Sequence, residues 1–297
     1  MARVRTRDGE VTIGTGKDDS GEGEKRAIHI EGEKIRGQAM LAEHLSVCYL
    51  TPQMDQVFSS GTQARRQLID RLTTLFIPDH VRHLSIYEQA KSERKRVLFL
   101  HRPDEEWLHV LETRMSEQAV AIAAARLETL ALLQQAIDHA ESAFPKALLS
   151  IKGEVEQDLE NGLPALEAEA RAQKLWALSR SLDRQSGRTS VGVHRSEFLV
   201  HHKTHGMEAE FCSTGEQKAL LISVVLASAR AKALWSGVVP ILLLDEVAAH
   251  LDEHRRTSLF EELSVLGTQC WMTGTDSHLF APFLSVAEVI SLPQNTR

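Results

Sequence analysis

The sequence predicts an α/β fold interrupted by a long helical segment, and three observations carry that reading. The run Ile241-Leu242-Leu243-Leu244 precedes Asp245-Glu246 with no polar alternation. Four aliphatic residues in a row read as a strand buried on both faces, as inside a parallel sheet. Residues 79–182 behave differently: Leu111, Met115, Ala119 and Ile122, then Leu130, Leu133 and Ile137, keep three- and four-residue spacing. That period belongs to long antiparallel helices. Strand texture lies on both sides of this segment, before residue 50 and again after Gly187.

The totals bound the class. A chain of 297 residues allows about two domains, and 42% hydrophobic with 25% charged residues is ordinary for a globular protein. Aromatic residues make up only 5%, so the core is expected to be aliphatic. No uninterrupted apolar run approaches the ~20 residues of a membrane span, and the basic N-terminus lacks the apolar stretch of a secretory signal. A cytoplasmic protein without a membrane partner is expected. A formal charge of −7 argues against a basic coat for nucleic acid and leaves room for a local basic patch. Cys48, Cys212 and Cys270 are few and far apart, which suggests buried free thiols.

Taken in order, residues 2–7 alternate, Asp8-Gly9 signals a hairpin turn, and Val11 to Ile13 can pair back. A Gly/Asp/Glu-rich loop is expected over residues 15–24, then a short pair, Arg26 to Ile30 with Lys34 to Arg36. Gly14-Thr15-Gly16-Lys17 imitates the end of a phosphate-binding P-loop. The pattern G-x-x-x-x-G-K-[ST] needs glycine where Val11 stands and a hydroxyl where Asp18 stands, so we reject it. Leu45 to Leu50 reads as a buried strand ended by Pro52, with Gln53 on the loop beyond. A helix follows over Thr62 to Phe76, with Leu68, Leu72, Leu75 and Phe76 as its apolar stripe and Arg65, Arg66 and Arg71 polar. Ile77-Pro78-Asp79 marks the first boundary.

In the helical segment, Pro103, Pro145 and Pro164 fall at expected ends or kinks. Lys91-Ser92-Glu93-Arg94-Lys95-Arg96 is its strongest basic run. It suits a nucleic-acid backbone, and equally the solvated face that most charged runs turn out to be. Glu197 to His201 and Met207 to Phe211 suggest a hairpin. His201, His202 and His205 near its tip invite a metal, but no acidic or cysteine partner is suitably placed in sequence.

Ser213-Thr214-Gly215-Glu216-Gln217-Lys218 leads into an apolar helix over about 217–235. Free amides at such a start make an anion site. Ser213 with Glu216 is also a plain capping box, the commoner reason for the pattern. After the buried strand, Asp245 and Glu246 emerge at the edge where parallel sheets place functional groups. Carboxylates there hold Mg²⁺ or polarise water in nucleotide hydrolases, and the hexapeptide alone suits a solvated acidic turn as well. Leu251-Asp252 opens a helix over 253–266, Gln269 to Met272 is a short strand ending in Thr273-Gly274-Thr275-Asp276, and Val286 to Leu292 is read as a last strand.

The order Ser-x-Gly-Glu-Gln, helix, aliphatic strand, Asp-Glu, Leu-Asp, helix, strand resembles the C-terminal half of an ABC-type ATPase head. Within that class the chain is similar to the RecF family of the SMC-like branch. Tyr49 to Asp55 precedes Arg65-Arg66-Gln67-Leu68-Ile69-Asp70, like the family's R-R-x-x-[LI]-D stretch. Tyr87, Ala90 and Arg94 match Y-x-x-A-x-x-x-R. Gly187-Arg188-Thr189 and Gly192-Val193-His194-Arg195-Ser196-Glu197 resemble G-R-T…G-P-H-R-D-D, with Val193 for the proline and Ser196-Glu197 for the acidic pair.

The resemblance implies a mixed sheet flanked by helices with an inserted helical arm: residues 1–77 and 185–297 form the head and 78–184 the arm. It implies ATP and Mg²⁺ held between two heads of a homodimer. Asp245 would bind the metal, and Glu246 would be the catalytic carboxylate. Ser213, Gly215, Glu216 and Gln217 would form the signature motif acting in trans, and Leu251 and Asp252 the D-loop. Gln53 would be the Q-loop residue, and Thr275 or Asp276 would lie near the switch position. The family role is recognition of single-stranded and gapped DNA in repair, replication and the SOS response, with RecO- and RecR-type partners in recombinase loading. Arg65, Arg66, Arg71, Lys91, Arg94 and Lys95 are the basic candidates for DNA. The family's opening strand, G-x-N-G-x-G-K-[TS] loop and helix have no counterpart in the sequence, so the chain is expected to enter the pattern after the P-loop and to bind ATP weakly alone. The alternative is an interaction protein whose head has lost turnover.

Overall fold

The computed structural model describes residues 1–6, 9–17, 26–35, 40–41 and 44–292. The expected turn at Asp8, most of the 15–24 loop and Arg36 lie outside them. The chain opens on four antiparallel strands in sequential order: β1 (Ala2–Thr6), β2 (Gly9–Lys17), β3 (Arg26–Ile30) and β4 (Glu33–Ile35). Val4 pairs with Val11, as the alternation predicts. Gly14 and Gly16 pair with His29 and Ala27, so this glycine-rich stretch is strand and not a phosphate loop.

A second sheet, wholly parallel, sets β9 (Ile241–Leu244) between β5 (Val47–Leu50) and β10 (Cys270–Met272). Leu242 and Leu244 are buried, whereas Leu243 is 41% exposed, in register with exposed Tyr49 and Trp271. The aliphatic run therefore buries one face, not two, because no described element covers the other. A third sheet joins β6 (Ala147–Lys152), β7 (Glu197–His202) and β8 (Met207–Glu208). The β7–β8 hairpin is the expected one. β6 falls inside the segment expected to be helical, and buried Ala147, Leu149 and Ile151 alternate along it as a strand requires. The segment read as a last strand, residues 286–292, is irregular and exposed.

The helices are α1 (Thr62–Phe76), α2 (His80–Leu98), α3 (Glu105–Asp138), α4 (Glu154–Glu160), α5 (Ala165–Ser186), α6 (Thr214–Ser236) and α7 (Glu253–Leu266). Asp104 caps α3 by accepting from the Glu106 and Trp107 amides, both at 3.0 Å, and Gly187 ends α5 in the left-handed region at φ 67°. Pro103 and Pro164 sit just ahead of α3 and α5, and Pro145 just ahead of β6. α3 and α6 are long and apolar enough to cross a membrane, but both are core helices with most of their apolar windows inside the protein.

Two hydrophobic cores are separate, and α3 runs through both. Leu108, Leu111, Met115, Ala119 and Ile122 pack with α2, α5 and Trp176, while Leu130, Leu133 and Ile137 pack with α1, α6 and the parallel sheet. At about 1.5 Å per residue, this 34-residue helix is roughly 50 Å long. Where it passes between the cores stands Arg126, 1% exposed. It donates to both Asp70 carboxylate oxygens (2.8 and 3.0 Å), to Glu156 Oε1 (2.9 Å) and to the Val193 carbonyl (2.9 Å). His80, fully buried, contacts Asp70 Oδ1 at 2.8 Å.

The three cysteines are free thiols, with Cys48 and Cys212 buried and Cys270 half-buried. Burial pushes the Cys48 thiol up to about 11 and Cys270 to about 12, so neither is a thiolate at neutral pH.

Two predictions follow from the buried polar groups. Replacing Arg126 by Met strands two carboxylates beside it. Equilibrium urea unfolding should show a loss of about 3–5 kcal/mol, and an unchanged midpoint would refute the ion-pair account. His194 stands between Tyr87 and Thr189: its Nε2 lies 3.1 Å from the Thr189 carbonyl, which can only accept, so Nδ1 accepts from the Tyr87 hydroxyl at 2.7 Å. Burial first, and then the charge of Lys91, lower its pKa to about 4. The folded state thus favours the neutral ring. Its stability contribution is full above the unfolded value of about 6.5 and is lost as pH falls toward 4, a change of roughly 3 kcal/mol. His194→Gln should remove that part of the slope between pH 6.5 and 4 in stability-versus-pH measurements, and an unaltered slope would refute it.

Candidate functional site

The parallel sheet sets the site. Leu50, Leu244 and Met272 are in register, so the chain leaves all three strands at one edge. The amide of Asp245 donates to the Leu50 carbonyl (2.9 Å) and that of Thr273 to the Leu244 carbonyl (3.1 Å), which extends both ladders to the edge itself. Asp245, Glu246 and, beyond β5, Gln53 are all exposed there.

Thr273 latches the carboxylate pair. Its hydroxyl donates to Asp245 Oδ1 (2.5 Å), and Thr273 Oγ1 in turn accepts from the Glu246 amide (3.1 Å). Glu246 is one of two described residues other than glycine with positive φ, at 54°. For a residue with a Cβ this costs on the order of 1 kcal/mol or more. The turn sends the chain inward, so that Val247 and Ala248 are buried directly behind an exposed carboxylate. Thr273 was part of the sequence pattern without a role, because only the fold brings it to residue 245. Of the two switch candidates, Thr275 is exposed, and Asp276 accepts from the His278 amide at 2.9 Å. His278 is an exposed imidazole in this same loop and was not singled out in the sequence.

The Ser213 motif starts α6, and both of its sequence readings describe the structure. Ser213 Oγ accepts from the Glu216 amide (3.4 Å), and Glu216 Oε2 accepts from the Ser213 amide (3.0 Å), which completes a capping box. Those Ser213 hydrogen bonds hold the Glu216 carboxyl below its ordinary range. Ser213, Thr214 and Gly215 nevertheless remain exposed, and a Cβ at Gly215 would meet nothing within 4 Å. The helix start is thus open to an approaching anion. Gln217 faces inward, its amide donating to the Cys212 carbonyl (3.0 Å) and the Glu210 carbonyl (3.3 Å), so it shapes the loop and is not presented to solvent.

One ion pair ties this helix to the sheet edge. Lys218 Nζ meets Asp55 Oδ2 at 3.0 Å, two residues past Gln53. Leu251 is buried, while Asp252 is exposed and caps α7 by accepting from the Arg255 amide (2.8 Å).

The basic candidates separate by burial. Arg94 is fully buried, donating to Glu112 (2.8 Å), Asp183 (2.7 Å) and the Trp176 carbonyl (2.7 Å). Arg65 is 5% exposed and serves Glu197 (2.7 Å), Glu210 (2.8 Å) and the Phe58 carbonyl (2.8 Å). Both are structural ion-pair centres, which withdraws them as DNA contacts: an arginine with its donors spent inside a core has none for a phosphate. Arg66 is half-buried and donates to the Ser196 carbonyl (2.9 Å). Arg71 lies over the Tyr49 ring at 4.5 Å, and Lys91 pairs with Glu88 at 2.6 Å. Lys95 and its neighbour Arg96 are exposed.

The same loops bring together a group the sequence separates. His202 and His205 stack at 4.0 Å with their planes 5° apart, and His205 Nδ1 lies 3.4 Å from Glu216 Oε1. An acidic residue is therefore placed beside these histidines, contrary to the expectation from sequence, because it comes from the next helix.

No family model matches the chain. Among curated proteins, the DNA replication and repair protein RecF of Mesorhizobium japonicum is 43% identical over 298 residues, spanning 99% of this chain and 78% of that protein. Its counterpart in Rhizobium meliloti is 42% identical over 295 residues, with 97% and 78% covered. Among solved structures, the recombination mediator protein RecF-ATP in the RecFOR pathway superposes with a TM-score of 0.76 at 20% identity, over 92% of this chain and 73% of that one. That likeness is one of fold, the mixed α/β architecture with helix-flanked sheets expected from the motif order. With identity above two fifths along almost its entire length, the chain belongs to the RecF family of DNA replication and repair proteins.

Proposed function

We propose that this chain acts in the cytoplasm as an ATP-dependent DNA-binding protein of recombinational repair. It would recognise gapped and single-stranded DNA and aid recombinase loading with RecO- and RecR-type partners. The observation that carries the proposal is the Asp245-Glu246 pair, held by Thr273 at the carboxyl edge of a parallel sheet, with an open helix start at Ser213. Relatives 40–43% identical, named DNA replication and repair proteins, supply the biological setting.

The donor set fits a hard cation. Asp245, Glu246 and Gln53 offer oxygen ligands only, the choice of Mg²⁺. ATP·Mg²⁺, when bound, supplies a γ-phosphoryl group whose charge the metal helps to neutralise. Asp245 would hold the metal, directly or through water. Glu246 would orient the attacking water and accept its proton, its backbone pre-set by the left-handed turn. Gln53 would sense the metal and report to the arm. The Ser213 hydroxyl and the Gly215 amide would reach the γ-phosphate of a facing head, which makes dimerisation nucleotide-dependent. Leu251 and Asp252 would lie along that contact, and Thr275 and Asp276 near the leaving phosphate. Glu216 and Gln217 support the signature loop from behind through the cap and the inward amide.

The 297 residues contain no G-x-x-x-x-G-K-[ST] sequence. Backbone amides and a lysine in such a loop normally hold the β- and γ-phosphates. The chain alone is therefore expected to bind ATP weakly, and micromolar affinity in a calorimetric titration would overturn this. Paired with a head that carries a P-loop but lacks its own signature serine, the chain should restore hydrolysis. In that pairing the facing head holds the ATP, so Ser213→Ala in this chain should lower the restored rate by about 10²-fold, whereas Glu246→Gln in this chain should leave it unchanged.

DNA would be held mainly through phosphates, with Arg66, Arg71, Lys91 and Lys95 as remaining candidates. Affinity for gapped DNA should fall steeply with salt, and Lys95→Ala should reduce the slope of log K against log salt by about 1. An affinity independent of salt would sink the phosphate-dominated model.

A further inference from the structure

We propose that His202, His205 and Glu216 form a binding site for Zn²⁺, or another divalent transition metal of similar softness, beside the start of α6. One ring nitrogen from each histidine and a Glu216 oxygen all lie within 4.8 Å of one another. Two imidazoles and one carboxylate, with water completing the sphere, are a set that zinc accepts. Imidazole donors also favour zinc over the Mg²⁺ that accompanies nucleotide.

The local fold builds this arrangement. β7 ends at His202, and the Gly206 amide closes the turn onto the His202 carbonyl at 2.8 Å. Gly206 takes φ 65°, a conformation that suits glycine, and this folds His205 back over His202 as a parallel stack. The third donor comes from the first turn of α6. Glu216 divides its work: Oε2 accepts from the Ser213 amide (3.0 Å) and hydroxyl (2.7 Å), while Oε1 faces His205. A metal on Oε1 leaves the capping box in place.

A His205–Glu216 ion pair alone does not account for the cluster. It leaves His202, buried and stacked face to face on His205, outside the pair. His205 is half exposed and free to turn toward a shared ion. Bound metal would tie the hairpin tip to the Ser213–Gly215 loop. The site shares Glu216 with the Ser213–Gly215 loop, but metal binding there needs neither nucleotide nor Asp245.

The test uses the full chain, stripped with chelator, titrated with ZnCl₂ against a chromophoric indicator and separately with Co²⁺ to read its visible absorption. One equivalent should bind, with excess MgCl₂ making no difference and with a rise in Tm. His205→Ala should weaken binding about tenfold or more, and the double change His202→Ala, His205→Ala should abolish it. His201→Ala should not, because His201 faces Glu208 at 3.6 Å, outside the cluster. No stoichiometric binding would overturn the proposal. So would binding that survives the double change, which would place the ion on others of the 14 histidines. ATP affinity plays no part in the readout, so failure here and failure of the repair function are distinguishable.

Discussion

Arg126 is the residue on which the two halves of the molecule depend. It stands on α3 where that helix leaves one hydrophobic core and enters the other, and its guanidinium is engaged by α1, α4 and the Val193 carbonyl. A buried charge is tolerated only when its partners satisfy it. The arrangement is therefore directional. Asp70 must come from the Arg-rich helix, Glu156 from the short helix after β6, and Val193 from the Gly-x-His-Arg turn. Three segments far apart in sequence are held in a single relation by one side chain. Arg94 plays the corresponding part between α2, α3 and α5, joining Glu112 and Asp183.

This rigid frame explains how an exposed edge can be organised. Asp245 and Glu246 stand in solvent, yet their backbone is continuous with a sheet whose next residues inward, Leu244 and Leu242, are buried. Thr273 converts two neighbouring strand ends into one unit by giving a proton to one residue and accepting one from the next. Lys218 and Asp55 extend the unit to α6.

Helical periodicity put Arg65 on a polar face, and the run containing Arg94 suited either a nucleic-acid backbone or a solvated face; both arginines are buried. Their burial shows why a charged run is a weak signal for nucleic acid. A helix turns through about 100° per residue, so neighbours in Lys91-Ser92-Glu93-Arg94-Lys95-Arg96 face different surroundings. Arg94 points into the core, while Lys95 and Arg96 face solvent.

The sequence by itself determined the elements and the chemistry that is local. α1 and α7 span the expected residues 62–76 and 253–266, the capping box at Ser213 is readable as Ser-x-x-Glu, and the Asp-Glu pair is placed by the aliphatic run before it. These features depend on residues within one or two turns. Tertiary structure decided what depends on distant partners. β6 was missed because a six-residue strand carries little signal beside 34 residues of helix, and it gains its definition from β7. Leu243 is exposed although its run is uniformly apolar, because burial of a face is set by what packs on it. Thr273 reaches Asp245, and Glu216 reaches His205, across sequence gaps that no spacing rule spans. Hydrogen bonds and ion pairs act over about 3 Å, and only the folded chain brings those atoms that close.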